Sequence, residues 1–249
     1  MTGQLAGKRG LIMGVANERS IAWGIAKSMY EAGAELAFTY QGEAFGKRLA
    51  PLAASVGSDF MVDVDVTDDA SLQTAFDQLE DRWPTIDFLV HAIAYSDKSE
   101  LTGRFINTSR ENFKNSLDIS AYSFVEVARR AYPLMKESGG TLLTLSYQGS
   151  NRVTPFYNVM GVAKAALEAT TRYLANDLGQ DGIRVNAIAP GGVESGQNDV
   201  FAKRYGARVP LGRMARSDEV VGAVVWLASD AASYVTGQVI SIDGGLTAW

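Results

Sequence analysis

Short apolar runs alternate along the chain with longer segments in which apolar residues recur at helical spacing. The apolar runs predict seven strands, at 10–13, 35–40, 60–64, 87–92, 141–146, 183–188 and 239–242. The periodic segments predict helices at 21–31, 71–82, 111–136, 159–178 and 218–229. Several strands are nearly continuous in Val, Ile and Leu, as expected when helices cover both faces of a sheet.

Strands that alternate with helices indicate βαβ units and a parallel sheet. With right-handed crossovers, the pattern predicts an α/β fold: a single-domain, Rossmann-like, doubly wound parallel seven-stranded sheet over residues 1–249. Ligands of such sheets bind outside the carboxyl ends of the strands, so the loops that follow strands should carry the site. The cluster at 190–192 follows a strand and is interpreted as such a loop, not as a linker.

Composition excludes several classes of function. The 23 basic and 28 acidic residues give a net charge of −5, which argues against a general affinity for nucleic acid. With no Cys and a single His, His91, the chain offers no thiolate nucleophile and no Cys- or His-rich metal site. His91 is expected to be structural. Without a long apolar segment, no membrane association is expected, and we predict a soluble, cytoplasmic protein.

The segment 14–24 links the first strand to the first helix, where a dinucleotide fold holds the pyrophosphate. Gly14 permits the turn, while Ser20 and Ile21 lie at the helix start, where the Ser20 hydroxyl could cap the helix and bond a phosphate. The motif G-x-G-x-x-G is absent. On this segment alone, a phosphate site and an ordinary capped turn are equally good interpretations.

Residues after the second and third strands bear on the choice of cofactor. Gln41 is neutral and offers no cation for the extra phosphate of NADPH, so NADH is preferred; Lys47 and Arg48 keep NADPH open. Asp65 and Val66 could contact the adenine, although Asp65 could also be a polar strand end only.

Five stretches carry a resemblance that covers the whole chain: 14–24, 35–41, 118–124, 142–147 and 157–164. On these residues the chain is similar to the short-chain dehydrogenases/reductases and, within them, to the bacterial enoyl-[acyl-carrier-protein] reductases. Carbonyl-reducing members of that superfamily carry Tyr-x-x-x-Lys. Here Met160 stands four residues before Lys164, and Tyr157 stands seven before it, about two turns if the helix extends that far.

The resemblance implies hydride transfer from NADH to the β-carbon of a trans-2-enoyl thioester in fatty acid biosynthesis. Tyr157 would contact the substrate and stabilise the developing enolate oxygen. Lys164 would hold the nicotinamide ribose, and Tyr147 would act as a second acid or as a pocket wall. The remaining implied roles are cofactor contacts by Ile93, Val193 and Ser195, a substrate contact by Ser96, and a homotetramer.

The resemblance weakens over 190–213, which includes the implied substrate lid at about 191–213. This stretch is similar to carbonyl- and alcohol-oxidoreducing relatives, so a carbonyl reductase or alcohol dehydrogenase stays an alternative. A further alternative is an NAD(H)-binding protein without turnover.

Five basic residues and no acidic one lie between 201 and 216: Lys203, Arg204, Arg208, Arg213 and Arg216. They could steer an acidic acyl carrier protein or simply form a solvated face. Acyl chain length, the preference for carrier protein or coenzyme A, the ratio of NADH to NADPH use and inhibitor response do not follow from the sequence.

Overall fold

A computed structural model describes residues 3–194 and 199–248. Its central sheet consists of β1 (Arg9–Met13), β2 (Glu35–Tyr40), β3 (Met61–Asp63), β4 (Phe88–His91), β5 (Gly140–Leu145), β6 (Ile183–Pro190) and β7 (Val239–Ile242). The helices are α1 (Ile21–Glu31), α2 (Glu43–Ser55), α3 (Asp69–Arg82), α4 (Arg110–Leu117), α5 (Ser123–Met135), α6 (Val159–Leu178), α7 (Asp199–Gly206) and α8 (Ser217–Ala228).

All seven strands are parallel, in the order β3-β2-β1-β4-β5-β6-β7. One apolar cluster packs α1 and α8 against one face of the sheet, and a second packs α3, α5 and α6 against the other. The predicted doubly wound α/β fold is therefore confirmed. The direction of winding reverses between β1 and β4, which is where such folds bind ligands.

The helix boundaries follow local chemistry. Ser20 begins α1, since its Oγ accepts a hydrogen bond from the Trp23 amide at 3.3 Å. Asp68 caps α3 in the same way, accepting from the amides of Ala70 and Ser71. The helix α6 begins at Val159 and ends at Leu178, as predicted.

The predicted helices differ from the observed ones in detail. The helix α2 was missed because Gly42, Gly46 and Pro51 interrupt a weakly apolar segment. The predicted helix 111–136 is two helices, α4 and α5, joined by a π-helical turn at Asp118–Tyr122. That turn brings Ser120 under the loop after β4, where its Oγ accepts a hydrogen bond from the Tyr95 amide at 2.9 Å.

In the ranges 3–194 and 199–248, the structure contains no helix that is both long and apolar enough to cross a bilayer.

Candidate active site

A cleft of about 550 Å³ opens at the carboxyl ends of β1, β2, β3 and β4. Five of the predicted cofactor residues line it: Gly14, Gln41, Asp65, Val66 and Ile93. Sequence reasoning missed most of the other lining residues, among them Tyr40, Phe45, Ala92, Tyr95 and Ile119. Ala92 and Tyr95 could have been found, because they flank the predicted Ile93 in the loop after β4, which borders the point where the winding of the sheet reverses.

Gly14 forms the floor of the cleft where β1 ends. Its φ of +96° lies in the region that favours glycine, and a Cβ there would lie 2.2 Å from the carbonyl oxygen of Ala92. The backbone of β1 therefore turns against the loop after β4, leaving room for a ligand to approach. Ser20 and Ile21 lie beyond this turn, at the start of α1. The Ser20 hydroxyl donates to the Asn17 carbonyl at 2.7 Å in addition to capping the helix.

At the other end of the cleft, Asp65 presents a fixed acceptor. The Thr67 amide and hydroxyl donate to one of its carboxylate oxygens at 2.9 and 2.7 Å. These bonds, with a smaller contribution from the Gln41 side chain, lower the pKa of the Asp65 carboxyl. Asp65 is therefore ionised at neutral pH, beside Val66 in the cleft wall.

The two cations near Gln41 are both engaged. Lys47 Nζ lies 2.6 Å from the Glu43 carboxylate, and the Arg48 guanidinium lies over the Phe45 ring at 5.4 Å from its centroid. Gln41 itself is exposed at the cleft. The cleft thus presents a neutral side chain where the sequence analysis predicted one.

Tyr157 lies in a turn just before α6, so the assumption that it stands on the helix was wrong. Phe156 and Asn158, on either side, both have positive φ, at 62° and 40°. The Tyr157 ring packs edge-on against Tyr147, with centroids 4.9 Å apart at 62°. Burial, and to a lesser extent Tyr147, raises the pKa of the Tyr157 phenol, so this hydroxyl keeps its proton at neutral pH.

Lys164 is buried, with 5% of its surface exposed. Its Nζ donates to the Leu145 carbonyl at the end of β5, at 2.6 Å. Burial lowers the pKa of the Lys164 ammonium to about 8, and the Glu168 carboxylate opposes this shift. The ammonium is therefore mostly protonated at neutral pH. Met160, at the tyrosine position of carbonyl-reducing relatives, is buried with its sulfur 3.9 Å from Ser120 Oγ.

The turn that carries Tyr157 is tied to the loop after β4. The Asn158 side-chain amide donates to the carbonyls of Glu100 and Leu101, at 3.0 and 3.3 Å. Ser96, the predicted substrate contact, lies at the start of that loop, and its hydroxyl forms hydrogen bonds with the side chain of the buried Asn112. The sequence analysis did not identify Asn158 or Asn112.

His91 is fully buried and bonded, as predicted for a structural histidine. Its Nδ1 lies 3.2 Å from Thr144 Oγ1, and its Nε2 lies 2.8 Å from Ser123 Oγ. Burial, with a smaller contribution from the Lys164 charge, lowers the pKa of His91 to about 3. The ring is therefore neutral at physiological pH.

Beyond β6 the described residues of the lid region contact one another. Val193 is buried and pairs with Ala215, so the two ends of the predicted lid run side by side. The Tyr205 hydroxyl on α7 accepts a hydrogen bond from the Gly192 amide, and its ring covers the Gly192 backbone. Ser195, the last predicted cofactor contact, lies outside the described residues.

The basic residues of the lid region fall into two groups. Arg213 forms two bonds of 2.7 Å with the Glu219 carboxylate, and Arg216 pairs with Asp218 at 3.1 Å. Lys203, Arg204 and Arg208 are exposed. Two of the five predicted steering charges are therefore neutralised by the first turn of α8. Within the described part of the chain, no cluster of His, Asp and Glu could hold a metal ion.

Known proteins similar to this chain are reductases that use a nicotinamide cofactor, as the arrangement of the cleft suggests. The family model described as enoyl-(acyl carrier protein) reductase matches residues 14–247. The chain is 53% identical over 251 residues to the enoyl-[acyl-carrier-protein] reductase [NADH] 2 of Rhizobium meliloti, covering 98% of this chain and 93% of that protein. It is 45% identical to the Aquifex aeolicus NADH enzyme, covering 98% of this chain and 92% of that one.

Solved structures agree as well. The reductase of Anaplasma phagocytophilum in complex with NAD superposes with a TM-score of 0.96 at 45% identity, covering 100% of this chain and 97% of that one. The Bacillus cereus reductase, crystallised with NADP+ and indole naphthyridinone, gives 0.95 at 44% identity over 99% of each chain. The predicted resemblance is confirmed: the chain belongs to the enoyl-(acyl carrier protein) reductase family.

Proposed function

We propose that this protein is an NADH-dependent enoyl-[acyl-carrier-protein] reductase that reduces the double bond of a trans-2-enoyl thioester in fatty acid biosynthesis. The observation that carries the proposal is the half-buried, protonated Tyr157 packed on Tyr147, together with Lys164 buried at the end of β5. Met160 occupies the position at which carbonyl-reducing relatives need a tyrosine, and its thioether has no proton to donate. This residue disfavours the carbonyl reductase alternative.

The cleft fits a dinucleotide cofactor. Its volume, the glycine turn at Gly14 and the helix start at Ser20 and Ile21 suit a pyrophosphate, while Asp65, Val66 and Ile93 suit the adenosine half. The exposed, neutral Gln41 favours NADH over NADPH. Val193 and Ser195 are proposed to contact the nicotinamide end and the pyrophosphate. NADH, when bound, supplies the hydride.

Tyr157 stabilises the charge that develops on the substrate. When a hydride adds to the β-carbon, negative charge moves to the thioester oxygen, and a phenol that keeps its proton can donate a hydrogen bond there. Tyr147 supports the Tyr157 ring from one side. Lys164 holds the ribose next to the nicotinamide, and its positive charge favours the developing anion. Ser96 and Tyr157 are proposed to contact the substrate.

A substitution at Tyr157 tests the assignment. We expect purified wild-type protein to oxidise NADH when given crotonyl thioester, and Tyr157→Phe to lose about 100-fold in kcat, the size of effect typical for one oxyanion donor. NADH affinity, measured by fluorescence, should stay at the wild-type value. Tyr234→Phe, which changes a fully exposed tyrosine shortly before β7, is the matched control and should leave both quantities unchanged.

Either of two results would contradict the proposal. A wild-type protein that reduces ketones but no enoyl thioester would favour the carbonyl reductase alternative. NADH binding without turnover on a broad panel of substrates would favour a nucleotide-binding protein.

The segment 191–213 is proposed to be the substrate lid, with the exposed Lys203, Arg204 and Arg208 steering an acidic carrier protein. The double variant Lys203→Glu/Arg204→Glu should raise KM for a carrier-bound substrate by about 10-fold at low salt, and that difference should shrink as salt rises. KM for the coenzyme A thioester should change much less. Equal effects on both substrates would remove the carrier from the proposal.

A homotetramer and a cytoplasmic location stay predictions. Exposed aromatic side chains on α4, on the π-helical turn and on α6 support an assembly: Phe113, Tyr122 and Tyr173. Light scattering after size exclusion measures the number of subunits, and cell fractionation tests the location.

A further inference from the structure

A short hydrogen bond joins the end of β5 to α6 beside the proposed catalytic residues. Ser146 Oγ donates to Glu168 Oε1 at 2.5 Å, and Ser146 is 5% exposed. A separation this short is typical of a hydroxyl bonded to a charged carboxylate. Glu168 lies four residues after Lys164, so both side chains lie on the same face of α6.

Ser146 lies in sequence between Leu145, which contacts Lys164, and Tyr147, which contacts Tyr157. Leu145, before it, supplies the carbonyl that accepts the Lys164 ammonium at 2.6 Å. Tyr147, after it, packs on Tyr157 at 4.9 Å between ring centroids. The bond from Ser146 to Glu168 therefore fixes the strand end that places both contacts.

Glu168 also supplies charge. Among the described residues, the carboxylate of Glu168 on α6 itself raises the pKa of the Lys164 ammonium, and the lysine charge in turn lowers the pKa of His91 on β4. The neighbouring part of β5 contributes the uncharged Leu145 carbonyl. Since His91 is neutral, Glu168 is the one of these two that favours the protonated lysine.

We propose that Glu168 is a positioning residue, which locks the end of β5 onto α6 through Ser146 and maintains the positive charge of Lys164. The inference rests on the proposed function, because it concerns how the proposed catalytic groups are held. The carboxylate acts through the lysine and the strand end and does not itself contact the substrate.

Three substitutions separate the bond from the charge. Glu168→Gln keeps an oxygen that can accept from Ser146 but removes the charge, whereas Ser146→Ala removes the bond and keeps the charge. Glu168→Asp keeps the charge on a shorter side chain. Glu80→Gln, on the exposed surface of α3, is the matched control for loss of one carboxylate.

The main measurement is the pH dependence of NADH binding, followed by fluorescence without substrate, together with that of kcat/KM. In wild type both should fall as Lys164 loses its proton. In Glu168→Gln this fall should begin about one pH unit lower, because an opposite charge that raised the lysine pKa is gone. Ser146→Ala should lose about 10-fold in kcat with the fall at the wild-type pH. Glu168→Asp should also keep the wild-type pH dependence, and Glu80→Gln should match wild type throughout.

A pH profile for Glu168→Gln that matches wild type overturns the inference, and so does wild-type kcat in Ser146→Ala. Circular dichroism first checks that each variant folds. If Glu168→Gln does not fold, Ser146→Ala and Glu168→Asp are used for the test. Turnover by the wild-type enzyme tests the proposed function. The pH dependence of NADH binding needs no turnover, so each of the two ideas can fail without the other.

Discussion

The proposed cofactor cleft and the proposed catalytic corner, which consists of Tyr147, Tyr157 and Lys164, are built by different means. Backbone turns and residues close in sequence shape the cleft: Gly14 turns against the loop after β4, and Asp65 is held by Thr67 two residues away. Side-chain bonds between distant segments shape the catalytic corner, where Lys164 reaches Leu145 and Asn158 reaches Glu100. The cleft is therefore sensitive to backbone conformation, and the corner to the loss of individual side chains.

The largest effect is expected from Gly14→Ala. The positive φ strains any other residue by about 1–3 kcal/mol, and the new Cβ would overlap the Ala92 carbonyl. We expect loss of measurable NADH binding by fluorescence and a lower melting temperature. Gly57→Ala is the control, because Gly57 also has positive φ but nothing lies within 4 Å of its Cβ position. If both variants bind NADH equally well, contact with the loop after β4 does not shape the cleft.

A smaller and more selective effect is expected from Gly149→Ala. A Cβ there would lie 2.5 Å from the Tyr157 ring and 3.3 Å from the Tyr147 ring, so the pair must shift. We expect kcat to fall about 10-fold while NADH affinity stays within about 2-fold of wild type.

Gly222→Ala, at an exposed helix position with open space, is the control for Gly149→Ala and should not lower kcat. If Gly149→Ala lowers NADH affinity by the same factor as kcat, the cleft and the catalytic corner do not respond separately.

The smallest effect concerns stability. His91 stays neutral in the folded protein down to a pKa of about 3, whereas an unfolded histidine takes up a proton near its ordinary pKa of 6.5. Stability from this group is therefore present above about pH 6.5 and lost as pH falls from there toward about pH 3, by up to about 1.4 kcal/mol per pH unit.

Denaturant unfolding between about pH 6.5 and about pH 5.5 measures the slope for His91, before most carboxylates titrate. His91→Gln should show a flatter dependence, since it carries no titrating ring. An equal slope in both proteins would mean that other groups determine stability in that range.

The fold could be predicted from the sequence because each strand is a distinct apolar run and each long helix has its own periodic face. The boundaries of α1 and α6 were predicted to the residue. The helix α2 could not be, because its Gly and Pro residues obscure the pattern while tertiary contacts still favour a helix.

The site residues that could be predicted from the sequence are those in loops directly after strands. Gly14, Gln41 and Asp65 follow strands, and the structure brings them to one cleft. Glu168 and Asn158 gave no signal, because their partners lie 22 and 58 residues away in sequence. The position of Tyr157 outside α6 was missed because positive φ at Asn158 is rare for a residue other than glycine.

The side-chain amide of Asn158 links the cleft to the proposed catalytic corner. It is fastened to consecutive carbonyls of the segment that leaves β4, and it directly follows Tyr157. We therefore expect that a displacement of that segment, by a ligand in the cleft or by a substitution there, shifts the Tyr157 phenol. On this expectation, occupancy of the cleft would affect the alignment of the proposed proton donor.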